Sequence, residues 1–343
     1  MLMSSNNKKY SIAVVGATGL VGREFLGIMV ERQFPVKSLR LLATSRSAGR
    51  RLVVGEEEFV VEETTNESFD GADFVFVSAS GQASRDYCPI AAKAGAVAID
   101  DSSAWRMDPR VPLVVPEVNA ADVEKHHGII SIPNCSTTPV VMCLWPIHQV
   151  NPVKRIIVDT YQSVSGTGKA AVDELTTQAQ AVLEGKAALP HVYPHQIAFN
   201  LLPEIDVFLD NGYTKEEWKM LNETRKIMHD DSIAISATCV RVPVMISHSC
   251  AVHVELSRSM EPDEVRDVLT AAPGVTVQDD PTISLYPQPW LAAGRDDVFV
   301  GRIRKDASHP NSIAMWISSD NLRKGAALNA IQIAEEMVKR DLV

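Results

Sequence analysis

One cysteine in the middle of the sequence has the surroundings expected of a nucleophile. Cys135 directly follows Asn134, and the pair Thr138–Pro139 behind it is typical of the first turn of a helix. The positive end of a helix dipole lowers the pKa of a nearby thiol and so increases the nucleophilic thiolate. A single cysteine is usually an inert core residue, and we expect this of the other four, which lie in apolar stretches or beside Pro89. This position makes Cys135 the candidate nucleophile.

A histidine further along the chain is the candidate acid/base group. His248 lies in a polar break, Ile246–Cys250, between two strand-like runs. A histidine in a turn is accessible and titrates near its ordinary pKa, which suits proton transfer. Arg241 precedes it by an odd number of residues, so an unbroken strand would direct the two side chains to opposite faces. We therefore expect the segment around His248 to turn.

A glycine motif near the start predicts a dinucleotide site. Gly16, Gly19 and Gly22 follow a short apolar run and open a helical pattern. Glycines let the backbone approach a pyrophosphate, and the helix N-terminus offers free N–H groups to it. Such turns also occur for packing reasons alone, but the strand before and the helix after favour a cofactor. The candidate contacts are Gly16, Thr18, Gly19, Leu20 and Val21.

The segment after the second expected strand indicates which dinucleotide binds. NAD sites usually carry an acid there, whereas NADP sites use arginine and small polar groups for the 2′-phosphate. Residues 43–50 contain no acid, and they offer Ser45, Arg46 and Ser47. A solvated basic hairpin is the other interpretation. We predict NADP.

The elements that must position these residues alternate between strands and helices in the first part of the chain. Strands are expected at 11–16, 39–43, 74–77 and 96–99, with helices at 20–33 and 83–94. This alternation predicts a Rossmann-type, doubly wound parallel sheet.

Beyond about residue 135 the pattern changes to long strand-like runs with few helices between them. Strands are expected at 155–164, 233–246, 250–258, 298–303 and 313–317, and helices at 170–183, 214–229 and 321–340. This predicts a second, α+β domain with a mainly antiparallel sheet. We place the NADP-binding domain at 1–134 with 321–343, because the last helix is expected to pack on it, and the catalytic domain at 135–320.

Composition restricts the class of function. The chain has 343 residues, 45% of them hydrophobic, and a net charge of −10. No basic cluster suits a nucleic acid, no apolar run suits a membrane helix, and the start, Met1–Lys9, reads as a loose terminus rather than a secretory signal. The five cysteines form no C-x-x-C pair, and Pro190 and Pro194 argue against a helical metal pair at His191 and His195. We expect a cytosolic protein without a metal.

Several motifs occur together in an order that resembles the bacterial aspartate-semialdehyde dehydrogenase family. The resemblance runs from about residue 10 to the end of the chain. It rests on the segments Gly16–Gly22, Asn134–Thr138, Gln162–Lys169, Ile197–Pro203, Glu216–Lys219, Arg241–Pro243, His248–Ser249 and Ser319–Gly325. It implies reduction of L-aspartyl 4-phosphate by NADPH to L-aspartate 4-semialdehyde. That step leads to diaminopimelate and lysine, threonine and methionine.

The resemblance also implies a role for individual residues. Cys135 would be the nucleophile and His248 the acid/base group. Gln162 would orient the substrate, Arg241 would bind its α-carboxylate and Glu216 its ammonium. The remaining implied roles are phosphate binding by Arg106, Asn134 and Lys219, and cofactor binding by Ser165, Gly166 and Asn321. The family further implies a homodimer or homotetramer.

Without the resemblance, alternatives stay open at several of these positions. Arg241 could be a surface residue, and Glu216 with Lys219, three apart on one helix face, could be an ordinary solvated ion pair. Another acyl-phosphate reductase, such as N-acetyl-γ-glutamyl-phosphate reductase, would have Asn-Pro-Gly-Cys at the nucleophile. A glyceraldehyde-phosphate dehydrogenase type would carry an acid after the second strand. A non-catalytic paralogue would be expected to lack Cys135 or His248.

Overall fold

The computed structural model describes residues 8–343, and the contacts divide the chain into two compact units. Unit 1 extends to Pro133 and resumes over Ala326–Val343, and unit 2 comprises Asn134–Gly325. The expected loose terminus, Met1–Lys9, lies almost wholly outside the described residues.

Unit 1 is built on a seven-stranded sheet in the order β3-β4-β2-β1-β5-β6-β7. All neighbours pair in parallel except the edge pair β3 and β4. The strands are β1 (Tyr10–Val15), β2 (Val36–Ala43), β3 (Arg51–Val54), β4 (Glu57–Glu63), β5 (Phe74–Val77), β6 (Val97–Asp100) and β7 (Ile129–Ser131). The prediction of a Rossmann-type parallel sheet is confirmed.

Helices cover both faces of this sheet because its strands are apolar on both sides. In β1, Ile12 and Val14 belong to one buried cluster with the helices α1 and α9, while Ala13 and Val15 belong to another with α2. The helices of unit 1 are α1 (Leu20–Glu31), α2 (Gly81–Lys93), the short α3 (Pro116–Asn119) and α9 (Leu328–Lys339). A π-helical turn, Arg323–Ala327, precedes α9, so that helix begins seven residues later than the expected start at Asn321.

Unit 2 contains a six-stranded sheet in the order β11-β12-β13-β10-β8-β9. Three of its pairings are antiparallel, and the pairs β8–β9 and β11–β12 are parallel. The strands are β8 (Val153–Gln162), β9 (Ala234–Arg241), β10 (His248–Leu256), β11 (Val275–Val277), β12 (Val298–Lys305) and β13 (Ser312–Ser319). The sheet is mixed, with antiparallel pairs in the majority, as predicted.

Five helices accompany this sheet: α4 (Thr137–Val150), α5 (Lys169–Leu183), α6 (Lys215–Met228), α7 (Pro262–Thr270) and α8 (Pro289–Ala292). The start of α6 is defined by a capping box. The Thr214 hydroxyl accepts from the Glu217 N–H, and the Glu217 carboxylate accepts from the Thr214 N–H. This fixes the first turn of α6, which carries Glu216.

Four neighbouring strands of unit 2, in the order β13-β10-β8-β9, have candidate residues or their register partners at the same end of the sheet. Gln162 ends β8 and is the register partner of Arg241, which ends β9. His248 begins the antiparallel strand β10 and pairs with Ser319, the last residue of β13. The expected strand 233–246 therefore stops at Arg241, because Pro243 cannot continue a ladder. Because β9 ends at Arg241 and β10 begins at His248, these two residues and Gln162 lie at the same end of the sheet.

Candidate active site

Cys135 lies at the start of α4. The helix begins at Thr137, with Ser136 as its N-cap, two residues before the expected cap at Thr138. Cys135 is partly accessible, whereas the other four cysteines are buried. Burial raises the pKa of Cys250 to about 12 and raises that of Cys88, Cys143 and Cys239 further. The four buried thiols are thus held protonated at neutral pH.

A histidine ring faces the sulfur of Cys135. Its Sγ lies 3.3 Å from Nε2 of His248 and 3.3 Å from Oδ1 of Asn134. A side chain on Gly325 would bring its Cβ to 2.9 Å from the Cβ of Cys135, so only glycine leaves room there. The arrangement gives the sulfur a nitrogen with which to exchange a proton.

The environment of His248 differs from the sequence-based expectation. The ring is 1% exposed rather than accessible. Burial, and after it the nearby Arg241 guanidinium, lower its pKa to about 3 against a smaller opposing effect of Glu216. The turn lies one residue earlier, at Ser247, whose φ of 76° is unusual for a residue other than glycine. His248 is therefore neutral at rest, and the idea of a histidine that titrates near its ordinary value was wrong.

Glu216 is the centre of a buried polar cluster. Its Oε1 accepts hydrogen bonds from Nδ2 of Asn134 at 2.7 Å and from Nε2 of Gln162 at 3.2 Å. Its Oε2 lies 3.0 Å from Nζ of Lys219, which also contacts Asp206 at 2.9 Å. Burial alone would raise the pKa of Glu216, but Lys219 and the two amides hold it below its usual value. The carboxylate is thus charged. Glu216 and Lys219 do form an ion pair, but it is part of a buried cluster and not the solvated surface pair that the residues alone allowed.

Arg241 is buried at the end of β9 and has donor capacity left. Its Nη1 donates to the carbonyl of Ser163 at 2.6 Å, and the ring of Tyr193 lies 5.9 Å from the guanidinium carbon. Nε of Arg241 is buried without a hydrogen-bond partner among the described residues. A Cβ on Gly166 would come within 3.2 Å of Nη1 and 3.3 Å of the His248 ring. The bare backbone of Gly166 thus packs closely against both side chains, where a larger residue would be crowded.

Asn321 and Ser165 lie behind the histidine. Oδ1 of Asn321 accepts from the hydroxyls of Ser163 and Ser165, both at 3.1 Å, and from the N–H of Ser247 at 2.9 Å. All four residues are buried. Within unit 2, the structure thus brings most of the implied residues together.

In unit 1, a cavity of about 530 Å³ adjoins the glycine motif. Gly16 has a φ of 85°, and a Cβ there would come within 2.0 Å of the carbonyl oxygen of Ser78. A Cβ on Gly22 would come within 2.3 Å of the Gly16 oxygen. Both positions therefore require glycine, and the backbone and the start of α1 form a cradle that fits a pyrophosphate.

The candidate cofactor residues line this cavity only in part. Gly16, Thr18, Gly19, Ser45 and Arg46 line it. Leu20, Val21 and Ser47 do not belong to its lining; Val21 packs against the core instead.

The cavity also contains an acid that the sequence analysis did not identify. Glu63 ends β4 opposite Ala43 and is one of the residues that line the cavity. A carboxylate at this location can bind ribose hydroxyls.

Arg106 lies in unit 1, in the segment after β6. It is 7% exposed, and its Nη2 donates to the carbonyl of Asp101 at 2.9 Å.

Known proteins are similar to this chain along nearly its whole length. The semialdehyde dehydrogenase NAD-binding domain matches residues 11–126, and the semialdehyde dehydrogenase dimerisation domain matches residues 144–324. An aspartate-semialdehyde dehydrogenase from Aquifex aeolicus is 53% identical over 339 residues, which cover 97% of this chain and 99% of the relative. This chain belongs to the aspartate-semialdehyde dehydrogenase family. The resemblance noted in the sequence is therefore confirmed.

Solved structures of aspartate-semialdehyde dehydrogenases have the same fold. Aspartate-semialdehyde dehydrogenase II from Vibrio cholerae, described as complexed with ASA, is 44% identical, covers 97% of this chain and 99% of its own, and has a TM-score of 0.93. The enzyme from Candida albicans, described as with NADP, is 26% identical, covers 98% and 100%, and has a TM-score of 0.77. The chain is thus an oxidoreductase of this family with an NAD(P)-binding domain.

Two further findings concern what residues 8–343 do not contain. None of their helices combines the length and apolar character needed to span a membrane. In the same part of the chain, no group of three or more His, Cys, Asp or Glu side chains could hold a metal ion.

The sequence analysis of this aspartate-semialdehyde dehydrogenase family member missed one residue of the site. Ser163 presents both its N–H and its hydroxyl to Nδ1 of His248, at 3.0 and 3.1 Å. The available signal was its position directly after Gln162 at a strand end.

Proposed function

We propose that this chain reduces L-aspartyl 4-phosphate with NADPH to L-aspartate 4-semialdehyde and phosphate, through a thioester on Cys135. The observation that carries the proposal is the 3.3 Å contact between Sγ of Cys135 and Nε2 of His248, in the same unit as a buried arginine and a charged carboxylate. The similar aspartate-semialdehyde dehydrogenases supply the reaction class.

In the first half of the reaction, the Cys135 sulfur bonds to the acyl carbon of the substrate. The bond from that carbon to the phosphate oxygen breaks, and phosphate leaves with the electron pair. Nε2 of His248 holds or releases the proton at the sulfur. NADPH, when bound, supplies the hydride that reduces the resulting thioester.

In the second half, the chain's residues release the aldehyde. The carbon–sulfur bond breaks as the carbonyl re-forms, so Cys135 returns as a thiolate. His248 moves the proton between the substrate oxygen and the sulfur, which its location beside Sγ allows.

The charged residues of unit 2 would bind the two ends of the amino acid. Arg241, with Nε available, would bind the α-carboxylate, and Glu216 would bind the ammonium. Gln162, which donates to Oγ of Ser136 at 2.6 Å, would orient the reacting group. Lys219, Asn134 and Arg106 would bind the phosphate.

We propose NADP rather than NAD as the cofactor. Arg46 in the cavity lining is a cation suited to a 2′-phosphate, and Ser45 adds a hydroxyl. Glu63 in the same lining opposes this preference, because a carboxylate repels a phosphate. Gly16, Thr18, Gly19, Leu20, Val21 and Ser47 in unit 1, and Ser165, Gly166 and Asn321 in unit 2, remain our assignments for the rest of the cofactor.

The larger organisation is proposed on the same basis. The NADP-binding domain would comprise 1–134 with 321–343, and the catalytic and dimerisation domain 135–320. The match of a dimerisation domain supports an oligomer, for which we propose a homodimer or homotetramer. The five free thiols support a reducing compartment such as the cytosol.

A coupled assay tests the proposal. Purified protein with aspartate semialdehyde, phosphate and NADP should produce the absorbance of NADPH, and Cys135→Ser should abolish it. Cys143→Ala, which removes a buried thiol from α4, should keep it. Activity only with N-acetylglutamate semialdehyde would instead assign the chain to the other reductase, and inactivity with both would indicate a non-catalytic protein.

A further inference from the structure

The orientation of the His248 ring is set by one neighbouring residue. Ser163 is fully buried directly after β8, and its backbone N–H donates to Nδ1 of His248 at 3.0 Å. Because an N–H can only donate, Nδ1 must accept, and the neutral ring carries its proton on Nε2. Nε2 is the atom that faces Cys135.

Cys135 can give its proton to Nε2 only when the ring carries its own proton on Nδ1, and the ring is then doubly protonated beside a thiolate. The new Nδ1–H would then face the N–H of Ser163, and two donors repel each other. The hydroxyl oxygen of Ser163 lies 3.1 Å from Nδ1, and a backbone hydrogen bond of Ser247 also favours the charged ring. An oxygen can accept where the N–H cannot.

The hydroxyl can accept because its own proton has another acceptor. Oδ1 of Asn321 lies 3.1 Å from Oγ of Ser163 and has no proton to offer. Ser165 also donates to this oxygen, but its hydroxyl contacts Ser163 at 3.0 Å rather than the histidine. The two serines therefore form a matched pair, of which only one touches the ring.

The charged groups around the ring explain why such an acceptor matters. Arg241 at the end of β9 opposes a positive charge on His248, while Glu216 on α6 and a thiolate at Cys135 favour it. Burial opposes it most strongly. A further hydrogen bond at Nδ1 therefore adds to the few groups that favour the charged ring beside the thiolate.

We propose that Ser163 is a positioning residue whose hydroxyl turns its proton toward Asn321 and accepts the Nδ1 proton whenever His248 is doubly protonated beside the Cys135 thiolate. The proposal rests on the proposed function of Cys135 and His248. It assigns no contact with substrate to Ser163.

The test is the pH dependence of Cys135 alkylation by iodoacetamide, with the modified site identified by mass spectrometry. Ser163→Ala keeps the backbone N–H and removes the hydroxyl. We expect the alkylation midpoint to move up by about one pH unit, from the usual strength of a hydrogen bond to a charged group. For the same reason kcat should fall about tenfold to a hundredfold, with little change in KM.

Two further variants give the test direction. Ser165→Ala removes the matched hydroxyl and should leave the midpoint where it is in the parent protein. Asn321→Asp places a negative acceptor behind Ser163 and should move the midpoint down. If Ser163→Ala does not fold, Ser163→Gly removes the same hydroxyl. Asn321→Asp still tests the direction in which the alkylation midpoint shifts.

An unchanged midpoint in the Ser163 variant, or an equal shift in the Ser165 variant, would overturn the proposal. So would an upward shift with Asn321→Asp. Failure of the proposed function would look different, because the unmodified protein would then give no NADPH in the coupled assay, whatever the alkylation midpoints.

Discussion

Replacing Gly325 by alanine should disturb the nucleophile without touching it chemically. The new Cβ would lie 2.9 Å from Cβ, 3.2 Å from Cα and 3.3 Å from the carbonyl oxygen of Cys135. Ordinary contacts of this kind are 3.4–4 Å, so the Cβ atoms must separate by 0.5–1.1 Å (3.4 − 2.9 to 4.0 − 2.9). Since a displacement of about 1 Å at a reacting atom costs about a hundredfold in rate, we expect kcat to fall about tenfold to a hundredfold.

The coupled assay measures this loss, and thermal unfolding measures the accompanying strain, which should be about 1–3 kcal/mol. The matched control is Gly27→Ala. Gly27 lies on the exposed side of α1, and a Cβ there would meet nothing within 4 Å. That variant should keep full activity and gain about 0.5–1 kcal/mol of stability, because alanine is the better helix former. A fully active Gly325→Ala enzyme would refute the reasoning, since Cys135 would then tolerate a displacement that we consider disabling.

Three other substitutions test separate parts of the site. Arg46→Ala should raise KM for NADP about tenfold or more and leave KM for NAD nearly unchanged, because only NADP has the 2′-phosphate. Glu216→Gln should lower the melting temperature at neutral pH; because the folded pKa of Glu216 lies below 4.5, the difference should be constant above about pH 4.5 and shrink as the pH falls through the folded value. Tyr193→Ala should raise KM for aspartate semialdehyde about threefold to tenfold, because it removes a ring packed against Arg241.

Each of these has an outcome that would contradict it. Equal losses for the two cofactors would remove the 2′-phosphate argument for Arg46. A stability difference for Glu216→Gln that grew in acid would mean that the carboxyl is protonated in the folded protein. Tyr193→Phe keeps the ring and loses only the 3.0 Å hydrogen bond to Thr167, so its KM should resemble that of the parent protein. A rise in KM as large as that of the alanine variant would show that the hydroxyl, and not the ring, is responsible.

The strands that the sequence predicted well are those with uninterrupted apolar runs. The run Phe74–Val77 forms β5 with the expected bounds, because a strand buried on both faces has no polar positions to obscure it. The hairpin of β3 and β4 was missed because β4 has only three apolar residues between two pairs of glutamates, and so gives no strand period. That omission hid Glu63 from the cofactor site.

Burial in the site could not be predicted from sequence pattern. His248 lies between polar neighbours, which predicts accessibility, yet packing of four strand ends encloses it. The strained Ser247 before it has no sequence signal, since serine rarely adopts a positive φ. The chemistry of Cys135 was predictable from the adjacent helix start, whereas the tautomer of its partner depends on the backbone N–H of Ser163, directly after β8.

The location of Gln162, Arg241 and His248 on three neighbouring strands has a consequence for engineering this enzyme. Backbone ladders hold such strands about 4.8 Å apart, so the spacing of the three side chains does not depend on their identity. Exchanging one of them can alter which acyl group is accepted while the other two stay in register. Inserting a single residue into β8 would instead turn its side chains to the opposite face and dismantle the whole constellation. We therefore expect that substitutions at these positions can change the substrate range, whereas insertions in these strands abolish activity.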